Sequence, residues 1–427
     1  MATSPARSRP RLPPPAISAA ELLESLPPAM LDEILSCLPI RDAARTSVLS
    51  RAWRRRWESV PYPVLNWPRG TPSAPIDAVL AHRTCPVSEF RHQYVPETEF
   101  HLSDLWLLRL ASVGVQSLYL KFKWLKADGI VMIPHFHMLH PYIFSCLELA
   151  VLDLEACDFP DLPSSFAGFP NLTALSLSNV GFPQGLRGLE VMISSSSSLQ
   201  RLRLENLRMP EEYEQWVIHA PNLQRLLITS DLVYGWQIDH LPSLEVAEVE
   251  LGHYSDAQEI VNLISPLDQA RILQLSMPSS MDNLLEGLSR SFVNLKCLSL
   301  HIPYCCLSSF LSIFCLARKA PNLEVFDIEL GFHYEEDEGV DINVLNAQRA
   351  VDLFSSLTTV HMKNVTWNLY EMAFIQFVLL EARQLEVFSI HESRLCLKPN
   401  QAALALAEVA QYMRSSPAAN LVISQMP

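Results

Sequence analysis

The sequence predicts an α/β chain in two parts: a short trio of helices, then a long curved solenoid with parallel strands on its concave side. Two observations carry this expectation. A phrase of the form Leu-x-x-Leu-x-Leu recurs over most of the chain, and ahead of it residues 26–57 set apolar side chains at helical spacing between prolines. Size agrees, because 427 residues exceed the roughly 250–300 at which one compact core stops growing.

In the first part, Leu31, Ile34, Leu35 and Leu38 fall at i, i+3, i+4 and i+7, one face of a helix. Pro27 and Pro28 stand where a helix begins without losing a bonded N–H, and Pro39 stops it. Asp42 is placed to accept from free N–H groups at the start of a second helix. Ser50 is placed to cap a third that sets Trp53 and Trp57 one turn apart. A unit of about 40 residues buries too little apolar surface to stand alone, so it reads as a docking element that shares its core with a partner.

Here the chain resembles the F-box, and the run from Leu38 to Trp57 resembles the version in plant F-box proteins. The resemblance rests on Leu26-Pro27, the segment Ile34-Leu35-Ser36-Cys37-Leu38-Pro39, the turn Arg41-Asp42-Ala43-Ala44-Arg45, and Leu49-Ser50-Arg51-Ala52-Trp53-Arg54, in order. It covers about a tenth of the chain. It implies docking on a Skp-family adaptor, and through it a cullin and a RING subunit, by way of Leu26, Pro27, Leu31, Ile34, Leu35, Leu38, Pro39 and Trp53. Ala29 departs from the pattern, since many relatives are acidic there; the expected consequence is tuned affinity, with docking retained.

The second part repeats. Clear copies of the phrase are Leu172/Leu175/Leu177, Leu199/Leu202/Leu204, Leu223/Leu226/Ile228, Leu295/Leu298/Leu300, Leu323/Phe326/Ile328 and Leu385/Phe388/Ile390. Weaker ones begin at Val115, Leu149, Leu244, Ala270 and Leu357, with a first at Val87. From Val115 the starts are 21 to 34 residues apart, and most of these intervals fall in the range of leucine-rich repeats. Leu-x-Leu makes a short strand that buries alternate residues, and the next 15 to 20 or so residues return the chain over the outside. No single repeat buries its own face, so stacking is obligatory. Pro-Asn-Leu at 170–172, 221–223 and 321–323 fits the turn from a return helix into a strand. The order of F-box, irregular leucine-rich repeats and a last segment from Asn368 to Ile390 is similar to the plant F-box/FBD/leucine-rich-repeat group. The expected division is a disordered Pro/Arg-rich tail at 1–20, the F-box at 21–62, repeats at 63–367, and an FBD-like repeat and cap at 368–427, with a closing strand at Asn420 to Ser424.

Other chemistries find little support. The net charge of -14 is uneven: residues 1–60 hold nine Lys/Arg against six Asp/Glu, which leaves -17 on the rest. An acidic body argues against nucleic acid as a partner, and the basic run Arg51 and Arg54–Arg56 reads as a solvated face. Twelve glycines leave little material for phosphate-cradling loops. Nine cysteines without CxxC spacing indicate reduced thiols, hence a cytoplasmic or nuclear setting. Cys297 to Ala317 lacks charge and is long enough to cross a bilayer, yet His301 and Pro303 interrupt it, so soluble core is expected and no membrane partner. His135, His137 and His140 form the best metal-like group, but read as loop residues; no metal and no cofactor is expected. Glu335–Glu338 reads as a solvated loop and Ser194–Ser198 as a flexible connector. Nucleophile, phosphate-loop and zinc-protease motifs are absent, so the chain is expected to be a non-catalytic subunit.

Strand geometry locates recognition. The middle x of each phrase and the position after its last apolar residue face the concave side. The candidate target-binding residues are Tyr119, Asp153, Arg203, Glu248, Glu250, Asp327, Glu329 and His361, with Arg201 and Arg225 added at strand starts as a positive patch beside Glu248/Glu250. Such mixed charge favours a peptide or protein ligand over a polyphosphate. The leading reading is the substrate-recognition subunit of a Skp–cullin–F-box ubiquitin ligase. The alternative is a leucine-rich-repeat scaffold or small-ligand receptor that acts without ubiquitin transfer.

Overall fold

A computed structural model describes residues 25–51, 53–60, 64–83, 85–95, 97–122, 136–209, 215–231, 235–252, 257–277, 285–333, 343–347, 353–393 and 399–425. The tail at 1–20, His135 and the acidic run Glu335–Glu338 lie outside them.

Three helices open the described chain: α1 (Pro28–Ser36), α2 (Ile40–Arg45) and α3 (Arg56–Ser59). Pro27 is the N-cap of α1 and Pro28 its first residue, as the missing N–H of proline favours. Two boundaries differ from expectation. Pro39, not Asp42, caps α2, and Asp42 sits in its first turn, 3.2 Å from Arg45. The third helix starts at Arg56 rather than after Ser50, whose carbonyl accepts from Trp53 N–H in a turn. Arg56 fastens α3 to α1: its Nε donates to Asp32 Oδ1 at 2.6 Å and its Nη2 to the Pro28 carbonyl at 2.6 Å. Leu31, Leu35, Ile40, Ala43, Trp53, Trp57 and Val60 pack inward and run without a break into Leu65 and Trp67. The small unit therefore borrows its core from the solenoid of the same chain.

The solenoid begins with β1 (Val64–Trp67), ahead of the first leucine phrase at Val87. In order follow α4 (Ser73–His82), β2 (Glu89–Val95), α5 (Phe100–Ser112) and β3 (Ser117–Phe122). Next come β4 (His137–Met138), β5 (Val151–Glu155), β6 (Cys157–Asp158), β7 (Ala174–Ser178), α6 (Arg187–Ser195) and β8 (Arg201–Glu205). Then β9 (Trp216–Ile218), β10 (Arg225–Ser230), β11 (Trp236–Ile238), β12 (Val246–Leu251), α7 (Ala257–Ile264) and β13 (Ile272–Ser276). The chain closes with β14 (Cys297–Cys305), α8 (Leu307–Lys319), β15 (Val325–His333), α9 (Asn343–Asn346), β16 (Thr359–Val365), α10 (Leu369–Glu381), β17 (Val387–Glu392), α11 (Pro399–Val409) and β18 (Asn420–Gln425).

Among the described residues, fourteen strands form one sheet in sequence order: β1, β2, β3, β5, β7, β8, β10 and then β12 to β18. Neighbouring pairs are parallel, and the first Leu of each Leu-x-Leu lies opposite the next, as in Leu175↔Leu202 and Leu202↔Leu226. Burial alternates along strands as the pleat requires. This is a curved leucine-rich-repeat solenoid.

Two corner devices recur. The N–H groups of Leu172, Leu223 and Leu323 donate to the carbonyls three residues back. Beside them, the Asn222 and Asn322 amides reach the previous coil's Ser197 and Val293 carbonyls at 2.9 and 2.8 Å. After the strands, Ala156, Asn179 and Asn206 turn the chain at φ of 59°, 53° and 47°, a left-handed conformation that Asn tolerates best after Gly. Their N–H groups donate to the next coil's Ser178, Glu205 and Thr229 carbonyls.

The outer side is mixed. Of the three Pro-Asn-Leu turns, that at 321 follows a helix, α8, while that at 221 follows β9 and that at 170 an irregular stretch. The uncharged run Cys297–Ala317 divides into β14 and α8, and among the described residues no helix is long and apolar enough to cross a membrane. Ser194–Ser196 are ordered, not a loose connector: the Ser194 and Ser195 hydroxyls donate to the Val191 carbonyl and Ser196 to that of Met192. At the far end β18 adds in register to β17, and so becomes the sheet's last edge.

Candidate docking helices and concave recognition surface

The eight residues expected to dock divide by burial. Leu31, Leu35 and Trp53 are sealed inside the helical unit, so they shape its surface without being part of it. Pro27 and Pro39 are exposed, Leu26 and Leu38 half-buried, and Ile34 is 38% exposed. The structure adds three residues that sequence reasoning missed: Met30, Val48 and Leu49, exposed by 50%, 88% and 54%. Val48 and Leu49 lie at the end of the 3-10 turn Thr46–Val48 after α2, too short for a helical period to mark them. Their signal was an apolar pair amid Thr46, Ser47 and Ser50.

On the solenoid, register sorts the expected recognition residues into three rows across the sheet. Arg201 and Arg225 are neighbours in the first row. Tyr119 and Asp153 are neighbours in the middle row, which continues through Ser176 to Arg203, then Leu227 to Glu248, and later Asp327 to His361. Glu250 and Glu329 stand in the third row.

These rows line two open hollows. One of about 390 Å³ is bordered by Tyr119, Asp153, Arg201, Arg203, Arg225 and Glu248. Here Arg91 lies over the Tyr119 ring at 3.9 Å, and burial pushes the Asp153 carboxyl up against the opposing pull of Lys121. Arg203 is committed within its own strand to Glu205 at 2.6 Å. The second hollow, of about 500 Å³, is bordered by Glu205, Glu248, Glu250, Asp327 and Glu329, with His301 and Lys363. His361 stands beside it, 4.0 Å from Asp327 and hydrogen-bonded to Ser389. The ten expected residues thus form two adjoining groups that share Glu248. Gln274, Ser299 and His301 also line the second hollow. They obey the same pleat rule, applied to the copies at Ala270 and Leu295, and were legible.

The histidine group separates. His137 Nε2 faces Asp104 at 3.4 Å and Ser103 at 2.9 Å, while His140 stacks on Tyr142. Among the described residues no three His, Cys, Asp or Glu stand together as for a metal ion. The Cys305 thiol is buried and pushed up to about 12 by desolvation, the setting of a packing residue.

With this geometry, comparisons with known proteins agree. An F-box domain model matches residues 23–64, and the leucine-rich-repeat model of FBD-associated F-box protein At5g56370 matches 103–265. The F-box/FBD/LRR-repeat protein At1g13570 of Arabidopsis thaliana is 26% identical over 95% of this chain and 99% of its own length. FBD-associated F-box protein At5g60610 of the same plant is 24% identical over 86% and 99%. Among solved structures, the leucine-rich repeat domain of APL1B aligns with 79% of this chain and 100% of its own, at 14% identity and a TM-score of 0.29, too low to add to the sheet's own testimony. A three-helix unit that flows into a fourteen-stranded parallel solenoid, matched in both parts by family models and nearly end to end by relatives, makes the chain similar throughout to the plant F-box/leucine-rich-repeat group.

Proposed function

We propose that this chain is the substrate-recognition subunit of a Skp–cullin–F-box ubiquitin ligase. The observation that carries the reading is the exposure of four apolar residues, Met30, Ile34, Val48 and Leu49, on a helical unit whose core is continuous with a solenoid bearing an open, charged concave face. These residues dock on a Skp-family adaptor and so on cullin and RING subunits; the concave face presents a target protein. The chain performs no bond chemistry. It supplies proximity, raising the effective concentration of target lysines near the charged ubiquitin-conjugating enzyme. Residues 368–427, from the capping-box helix α10 to β18, close the solenoid as an FBD-like cap.

The test is co-purification of the chain with a plant Skp-family adaptor and cullin. Deletion of 21–60 is a poor control, because it would strip Leu65 and Trp67 of their core neighbours. The pair Val48→Asp and Leu49→Asp keeps that core. Recovery of adaptor and cullin with the native chain and not with the variant is the expected result; a native chain that recovers neither would remove the reading.

A further inference from the structure

The concave face separates its charges along the solenoid. Arg201 and Arg225 stand side by side on β8 and β10, and neither has an ion pair among the described residues. From β12 onward the sign reverses. Glu248, Glu250 and Glu329 likewise have no ion pair among the described residues, yet they border one hollow with Asp327. Lys363, next to Glu329 in register, bounds this acidic stretch at its far end. Carboxylates gathered in a concavity raise one another's energy and draw cations in. Glu250, Ser276, His301 and Glu329 stand in one row across β12 to β15, so an occupant that meets both glutamates lies across the strands.

Sheet geometry then fixes a spacing. Adjacent strands are about 4.8 Å apart, so Glu250 on β12 and Glu329 on β15, three strands on, are separated by about 14 Å. An extended peptide advances about 3.3 Å per residue, which makes that interval about four residues. An even interval keeps both side chains on the same face. Arg201 and Arg225 are level with Val246, four residues along the strand from Glu250, so their midpoint lies about 7 Å across and about 13 Å along from Glu250, about 15 Å in all, or about four residues. We infer that the recognised target segment is an extended peptide with an acidic residue, a Lys or Arg about four positions along, and a second Lys or Arg four positions further. This rests on the substrate-receptor reading and narrows it to a ligand class.

The test is selection from a random dodecapeptide display library on the purified chain–adaptor complex, beside the same complex carrying Glu250→Lys and Glu329→Lys. If that variant melts below the native protein, Glu250→Gln with Glu329→Gln takes its place. The native complex should enrich the spaced basic pair, with its acidic neighbour, at least about fivefold over bare adaptor. The lysine variant should lose that enrichment and favour acidic residues at the same spacing, whereas the glutamine variant should simply lose it. The inference is overturned if native and variant complexes recover the same peptides, if enriched peptides lack the basic pair, or if nothing is enriched over bare adaptor. Retained adaptor with a failed selection would leave the receptor reading standing. A chain that binds no adaptor would remove that reading, and selection on the chain alone would still decide the peptide class.

Discussion

Replacement of Val48 and Leu49 by alanine isolates the proposed docking surface from the fold. Val→Ala removes two carbon groups from a residue 88% exposed, and Leu→Ala three from a residue 54% exposed. At about 0.8 kcal/mol per buried CH₂, covering those groups in a complex is worth about 1.4 and about 1.3 kcal/mol. The combined loss of about 2.7 kcal/mol corresponds to an affinity about 100-fold weaker. Neither residue belongs to the buried cluster, so the melting temperature should stay within about 2 °C of the native value. Titration of a labelled Skp-family adaptor by fluorescence anisotropy, with thermal unfolding alongside, measures both. Native affinity in a folded double mutant would refute the reasoning and put the docking face elsewhere on the helices. Leu35→Ala is the contrast: at a fully buried site it should cost about 2–5 kcal/mol of stability, so any loss of binding there reports on folding.

Two buried ionisable groups predict opposite limbs of the pH–stability curve. His92 faces inward, neither ring nitrogen has a hydrogen-bond partner, and burial lowers its pKa to about 4 despite Glu99 nearby. Its contribution is present above the unfolded value near 6.5 and is lost as pH falls towards 4, about 3 kcal/mol in all. His92→Leu should flatten that acid limb in denaturant titrations at pH 4.5 to 7; an unchanged slope would refute the assignment. Glu371 is buried and its carboxyl is pushed up to about 7 by desolvation, although it accepts from Thr366 N, Thr366 Oγ1 and Asn368 N. Its contribution is full below about pH 4.5 and is lost as pH rises through 7, again about 3 kcal/mol. Glu371→Gln keeps an oxygen for the two backbone donors and offers an amide to the Thr366 hydroxyl, so it should gain stability at pH 8 relative to pH 5; equal loss at both would refute the sign.

The amino-acid sequence by itself determined the solenoid, because each repeat announces its strand through buried alternate residues and the next coil must cover what it leaves exposed. Every copy of the phrase, strong or weak, became a strand at its expected place, from β2 to β17, and β18 closed at Asn420. The pleat also placed the concave residues. It did not reveal β1, whose Val64-Leu65-Asn66-Trp67 lacks the leucine phrase and is recognised through its pairing with β2 and the two inward side chains it shares with the helical unit. Tertiary structure alone decided which apolar residues of the F-box are core and which are surface. Its helices are four to nine residues long and carry apolar side chains on more than one face, so their outward side is chosen only when Arg56 draws α3 onto α1. It also decided which concave charges stay unpaired: Arg203 spends its charge on Glu205 two residues along its own strand, whereas Arg201 and Arg225 are held side by side by strand pairing, a proximity that 24 residues of separation conceal.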